Sequence, residues 1–276
     1  MIEALAEVPV ARRRMELVER KGLGHPDTIC DSLAEAVAVA LNRMYLAELG
    51  AIPHYNVDKA LLVAGQCAKG FGWGKITRPM EFILGDRATF EVSGRRLPIE
   101  ETVRGAVETW TTACLPHVRP GSDLQVRIAL APGSAELRSI FAAGSGPIAS
   151  NDTSGASGWA PLSPTEETVL AVERFLNGED FKRGFPDTGQ DVKVFGLRDD
   201  DRLALTVAMP LQCRAVASEG AYFRRKQEIL AALAERFREA PFQLDFRLNN
   251  LDAPGAGADG VYLTLTGTSA EDADSG

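Results

Sequence analysis

The chain has 276 residues, 45% apolar and 25% charged, with a formal net charge of −8. That is ordinary globular composition for one large or two medium domains, and it excludes a disordered chain, a collagen and a disulfide miniprotein. The acidic balance argues against a general nucleic-acid binder, which needs a basic face for phosphates. No run of about 18 apolar residues exists, so no membrane span is predicted. The opening MIEALAEVPVARRRMELVERKG places its arginines after its apolar residues and lacks a long apolar core, unlike a secretory signal. Cys30, Cys67, Cys114 and Cys213 are scattered with no CxxC pair, so a reduced, cytoplasmic protein is the simplest reading.

In chain order, the first helix is predicted over Pro26–Leu49, with Ile29, Leu33, Val37, Ala40 and Met44 at helical spacing and Gly50 as its stop. Proline suits the first helical position. Strands are predicted over 60–64, 81–84 and 88–92 from alternation and β-branching. A second helix spans 99–115, with Ile99, Val103, Val107, Trp110 and Cys114 on one stripe, and LQVRIALA at 124–131 alternates as a strand. Ser163-Pro164-Thr165-Glu166 is a capping box that opens a helix to Asn177. Strands are then expected near 191–197 and 203–209, a helix over 218–240, and strands near 242–248 and 260–266.

Helix, strands, helix, strand thus occurs twice. Short strand-to-strand links favour antiparallel pairing, so the predicted class is α+β and not a doubly wound sheet. The predicted organisation is a first α+β unit at 12–140, a Gly/Ser-rich connector or working loop at 141–162, a second α+β unit at 163–266, and 267–276 as the start of a third. A short disordered acidic tail is the alternative for that last segment.

GLGHPDTICD at 22–31 is the segment richest in chemistry. His25 stands at the helix start, and Asp27 and Asp31 share one face near its N-terminus, where anions are favoured and carboxylates can hold Mg²⁺. Gly22 and Gly24 allow a close backbone approach. From spacing alone, a capped helix with solvated acids is the simpler reading. Asn151-Asp152-Thr153-Ser154 reads as a connector with turn residues. In GQDVKV, Asp191 and Lys193 leave one side of a strand, suited to ribose hydroxyls and phosphate or to a surface ion pair of little worth. Asp58 in HYNVDK is an isolated acid. KGFGWGK at 69–75 lacks the spacing of a P-loop. His54 and His117 have no local partner pattern, and the arginines at 12–14 and 224–225 read as solvated faces.

Taken together, ERKGLGHPDTICD, HYNVDKALLVAGQ, LGDRAT, SNDTSGASGWAPLSPTE, TVLAVERFLN, GQDVKVFGLR and VYLTLTGTSAE occur in an order that resembles the methionine adenosyltransferase (S-adenosylmethionine synthetase) family, in its archaeal-type branch. The resemblance implies S-adenosylmethionine synthesis from ATP and L-methionine, with Mg²⁺ and K⁺ as cofactors. In that family the methionine sulfur attacks ribose C5′, and the expelled triphosphate is cut to diphosphate and phosphate. By matching positions, His25 and Lys193 are implied as catalytic residues at the triphosphate. Gly24, Asp152, Asp191, Gln66 and Asp274 are implied to contact substrate, Asp27 to hold Mg²⁺, and Asp58 to lie near the monovalent cation.

The resemblance also implies repeated α+β units about a pseudo-threefold axis. It implies at least a homodimer with active sites between flat sheets, and neither a nucleic-acid nor a membrane partner. The family pattern continues past GTSAE into arginine- and lysine-bearing segments that supply cations to the triphosphate. A third unit therefore reads as absent or cut here, which leaves a second reading open, a catalytically impaired paralogue that binds and modulates a complete subunit. Gln66 stands where the family has GGH or GGE, and Trp73 interrupts a run usually richer in glycine.

Overall fold

A computed structural model describes residues 3, 6–134, 155, 157–272 and 274–276. It is an α+β chain that divides into two compact units interleaved along the sequence. One unit contains residues 1–25, 68–75 and 159–268; the other contains 26–67, 76–158 and 269–276. Residues 1–25 join the unit that contains 159–268 for a physical reason. Strand β1 (Met15–Lys21) hydrogen-bonds along its whole length to β9 (Lys193–Asp199), from Met15 opposite Asp199 to Lys21 opposite Lys193. The last described residues pair within the second of these units. Gly276 exchanges backbone hydrogen bonds with Leu62, and the Ala64 N–H donates to Ser275 Oγ at 3.1 Å.

The first unit is built on a four-stranded sheet in the order β1-β9-β10-β12, with β10 at Arg202–Ala208 and β12 at Gln243–Leu248. β9 runs antiparallel to both β1 and β10. β10 and β12 are parallel, and the helix Glu219–Arg236 connects them. The helix Pro164–Asn177 precedes β9 and contacts β1 and β9. Its Ser163 cap accepts from the Glu166 amide at 3.1 Å while Glu166 accepts from the Ser163 amide at 2.7 Å, the reciprocal box read from the sequence. Val172, Leu176, Val194, Leu205, Ile229 and Leu233 bury their side chains between these helices and the sheet.

The second unit places the helices Pro26–Leu49 and Ile99–Cys114 with a three-stranded sheet. Its order is β2 (Ala60–Val63), β5 (Met80–Arg87), β8 (Leu124–Ala131). β2 is antiparallel to β5, β5 is parallel to β8, and the helix Ile99–Cys114 connects the parallel pair. The buried stripe of the first helix runs through Ile29, Leu33, Val37, Leu41 and Tyr45, so it turns onto Leu41 and Tyr45, with the expected Met44 partly buried against the same core. In the second helix Thr111 is fully buried, and Trp110 and Cys114 pack partly buried against the same core.

Strand β1 went unread in the sequence because its polarity is inverted. Leu17 is 65% exposed and Glu16 only 6% exposed. Glu16 is buried because Arg198, 5% exposed, lies 3.3 Å from its carboxylate and also donates to Thr165 Oγ1 at 2.9 Å and to the Arg13 carbonyl at 2.8 Å. Ser163 adds a donor to Glu16 at 2.6 Å. Burial pushes the Glu16 carboxyl up, but hydrogen bonds from Ser163, Thr165 and Arg198 outweigh it and hold the pKa below the usual value. Its contribution to stability is therefore present above the unfolded carboxylate pKa and is lost as pH falls through the folded one. Arg198→Ala leaves Glu16 buried without its cation. The expected loss is about 3–5 kcal/mol, read as a lowered urea midpoint at pH 7 that recovers partly toward pH 4.

Candidate functional site

Two glycine-bearing segments meet at one end of the β1–β9 ladder. Beyond the Lys21–Lys193 pair, the Gly22 N–H donates to the Val192 carbonyl at 2.7 Å and the Gly24 N–H to the Gln190 carbonyl at 3.0 Å. The GLGH segment is thus an antiparallel continuation of β1 on GQDVK. Glycine is required at 24 because a Cβ there would lie 2.3 Å from Gln190 C and 2.4 Å from Asp191 N. The His25 N–H then closes a turn on the Gly22 carbonyl at 3.0 Å, which fixes the histidine at this junction.

On the opposite segment, the Asp191 N–H donates to the Gly267 carbonyl at 2.9 Å. Gly267 has φ +83, left-handed backbone that glycine adopts without strain. Asp191 is 3% exposed, and its Oδ2 accepts from the Tyr262 hydroxyl at 3.1 Å. Lys193, two residues on, is half-exposed, with Nζ 3.2 Å from Glu19 Oε2; Lys21 Nζ lies 3.7 Å from Glu19 Oε1. Two ammonium groups therefore share one carboxylate on the outward face. Behind the junction, Glu173 accepts from Asn177 Nδ2 at 2.8 Å and Arg20 Nε at 3.4 Å, and Asn177 Nδ2 also reaches the Gln190 carbonyl at 3.3 Å.

The first unit therefore gathers Gly24, His25, Asp191 and Lys193. Asp27, Asp58, Gln66 and Asp274 belong to the second unit, and Asp152 lies outside the described residues. Asp27 stands in the first turn of the helix Pro26–Leu49. Gly276 packs so closely there that a Cβ on it would lie 2.3 Å from the Pro26 carbonyl and 2.7 Å from Asp27 N. Asp274 is exposed on the segment that pairs with Leu62 and Ala64. Gln66 is exposed at the start of the strand Gln66–Gly70, and its carbonyl accepts from the Thr77 hydroxyl at 3.1 Å.

Asp58 lines a cavity of about 540 Å³ with Asp31, Glu35 and Tyr55. Lys59 Nζ sits 2.7 Å from the Asp58 carboxylate, and this bond holds the carboxyl below its usual range. Among the described residues, no three His, Cys, Asp or Glu side chains converge as a metal cluster. The Asp27 carboxylate suits Mg²⁺ that takes most of its ligands from phosphate and water. The Asp58–Lys59 ion pair is exposed, with side chains 57% and 68% accessible, so it is a weak one.

All four cysteines are free thiols, and no helix among the described residues is long and apolar enough to cross a membrane. Sequence reasoning missed Glu19, which lies on the unread β1. It also passed over Tyr262 within VYLTLTG, because nothing in the spacing links it to Asp191.

The chain is similar to known proteins. The sequence pattern of the family described as S-adenosylmethionine synthetase (AdoMet synthetase) matches residues 1–276. The S-adenosylmethionine synthase of Pyrobaculum neutrophilum is 38% identical over all of this chain and 70% of its own length. That of Hyperthermus butylicus is 40% identical over all of this chain and 69% of its own. The probable S-adenosylmethionine synthase of Aquifex aeolicus is 38% identical over 97% of this chain and 68% of its own. A solved S-adenosylmethionine synthetase from Campylobacter jejuni, described as unusual, aligns over 96% of this chain at 13% identity and a TM-score of 0.49. The chain spans 62% of that structure's chain. The motifs that meet at the β1–β9 end lie within the matched residues, and the chain belongs to the S-adenosylmethionine synthetase family.

Proposed function

We propose that the chain serves the synthesis of S-adenosylmethionine from ATP and L-methionine. The observation that carries the reading is the Gly24–Gln190 backbone contact, which brings His25, Asp191 and Lys193 to one end of one sheet. In the proposed reaction the sulfur lone pair forms the S–C5′ bond as the C5′–O5′ bond breaks, and the electron pair leaves on the triphosphate. Thioether sulfur is a good nucleophile, so the protein's task is alignment and stabilisation of the leaving charge.

His25 is proposed to donate a hydrogen bond to the triphosphate. Lys193 would exchange Glu19 for phosphate oxygen, and Gly24 would let the chain approach the nucleotide. Asp191 would face a ribose hydroxyl. Mg²⁺, held at Asp27 and at phosphate, would neutralise negative charge on the leaving group. K⁺ near Asp58 remains a proposal from the resemblance, and no step is assigned to it. Asp152, Gln66 and Asp274 remain proposed substrate contacts from the resemblance.

The helix-strand-strand-helix-strand order, with its antiparallel then parallel pairing, occurs in both sheets and supports repeated units. A pseudo-threefold arrangement with a third such unit belongs to the same proposal, as does a cytoplasmic setting. Self-association as a homodimer is proposed for the outward face of β1 and β9, where Met15, Leu17 and Phe195 are exposed. The reading as a modulator of a complete subunit is not favoured, since relatives matched over all of this chain are synthases.

Calorimetry should find ATP bound at least about tenfold, or ~1.4 kcal/mol, more tightly with Mg²⁺ than with EDTA. S-adenosylmethionine should form when methionine is added. Equal affinity in the two conditions, with no product, would overturn the reading.

A further inference from the structure

The short helix Glu179–Gly184 delivers one ammonium to the back of the loop that carries Gln190 and Asp191. Lys182 Nζ donates to Thr188 Oγ1 at 3.1 Å and to the carbonyls of Gly189 and Thr188. The Gly189 N–H is held in turn by the Pro210 carbonyl at 2.8 Å, and the next carbonyl, of Gln190, receives the Gly24 N–H. Gly189 cannot shift easily, since a Cβ on it would lie 2.7 Å from both the Gly267 carbonyl and Pro210 Cγ. One cation thus fixes the backbone immediately before the contact on which the candidate site depends.

The charged groups around it are few. Glu173 faces Lys182 from the helix Pro164–Asn177, and Asp187 from the loop. Asp187 is itself bonded at 2.7 Å by Arg225 of the helix Glu219–Arg236, and Arg225 also bonds Glu228 at 2.6 Å.

We propose that Lys182 is a positioning residue of the nucleotide site: as an ammonium it clamps Thr188 and Gly189, so that Gln190 meets Gly24 and Asp191 and Lys193 are presented to ATP. This rests on the reading of ATP as substrate. Burial pushes the Lys182 ammonium down to about 7, against the opposing pull of Asp187 and Glu173. Because the folded pKa lies below the unfolded one, the folded state sheds this proton first, and the clamp weakens as pH rises through neutrality.

The test compares wild type with Lys182→Met, which keeps the bulk of the stem and removes the cation. Mg·ATP affinity is measured by calorimetry from about pH 6 to about pH 8.5. The wild-type to variant affinity ratio should be about tenfold or more at the acid end and approach one at the alkaline end. Titration of ATP occurs with both proteins and cancels in this ratio. The urea midpoint of the variant at pH 6 should be unchanged or higher, since a buried charge has gone. A ratio near one throughout, or a large ratio that does not change with pH, would overturn the proposal, the latter because it reports general packing.

A wild type that fails to bind Mg·ATP would sink the proposed function instead. The ligand-free NMR spectrum of the three histidines then decides. Lys182→Met should shift the His25 ring resonances and leave those of His54 and His117 in place. An unmoved His25 overturns the clamp.

Discussion

Replacing His25 by asparagine is expected to leave the fold and most Mg·ATP affinity intact while S-adenosylmethionine formation falls by about 10²-fold or more, the scale for one lost charge-stabilising donor. The backbone argument makes this substitution informative. The residue's position is set by the Gly24 N–H on the Gln190 carbonyl and by its own N–H on the Gly22 carbonyl, neither of which involves the imidazole. Asparagine therefore occupies the same place and remains a hydrogen-bond donor. It cannot carry positive charge, and its shorter reach moves the donor away from a bond whose leaving charge develops only in the transition state. Steady-state product formation, with calorimetry on the same preparations, separates the two effects. A variant with near-normal turnover would show that the imidazole is structural.

Local signals explain what the sequence made legible. The helix Pro26–Leu49 could be bounded at both ends, because proline suits its first position and Gly50, at φ +71, suits its stop. The capping box at Ser163 and the clean alternation of Leu124–Ala131 were likewise readable residue by residue. The unread elements depend on distant partners. β1 turns Glu16 inward, and only the guanidinium of Arg198, far along the chain, makes that tolerable. The interleaving of the two units follows from the β1–β9 pairing, which no short window contains. The expected strands at 88–92 and 260–266 shrank to Glu91–Val92 and Leu263–Thr264, because apolar alternation marks burial, not a ladder partner.

The candidate site divides along the same line. Gly24, His25, Asp191 and Lys193 were singled out as separate motifs and joined only by resemblance. Their juxtaposition rests on two backbone hydrogen bonds that spacing cannot express. Lys182 left no signal at all, since a lysine in a short polar helix reads as solvated until Thr188 and Gly189 are seen around its ammonium.

Gly24→Ala is expected to have the largest effect of any single methyl group added to this chain's candidate site. A methyl at this position would lie 2.3 Å from Gln190 C, 2.4 Å from Asp191 N and 2.7 Å from the Gln190 carbonyl oxygen. All three are main-chain atoms, so no rotamer change relieves the overlap. The two segments must separate by roughly an ångström, which breaks the Gly24–Gln190 hydrogen bond and loosens its neighbour at Gly22. Asp191 is pinned on its other side by the Gly267 carbonyl and by Tyr262, so the displacement falls on the GLGH segment and carries His25 away from Lys193. Overpacking against backbone should cost about 3 kcal/mol or more, and a misplacement of this size about 10²-fold or more in rate. Urea unfolding and product formation measure the two losses, and the His25 ring resonances report the displacement directly. An alanine variant with wild-type stability and turnover would mean that the GLGH and GQDVK segments do not meet in this way, and the proposed site would fall with that contact.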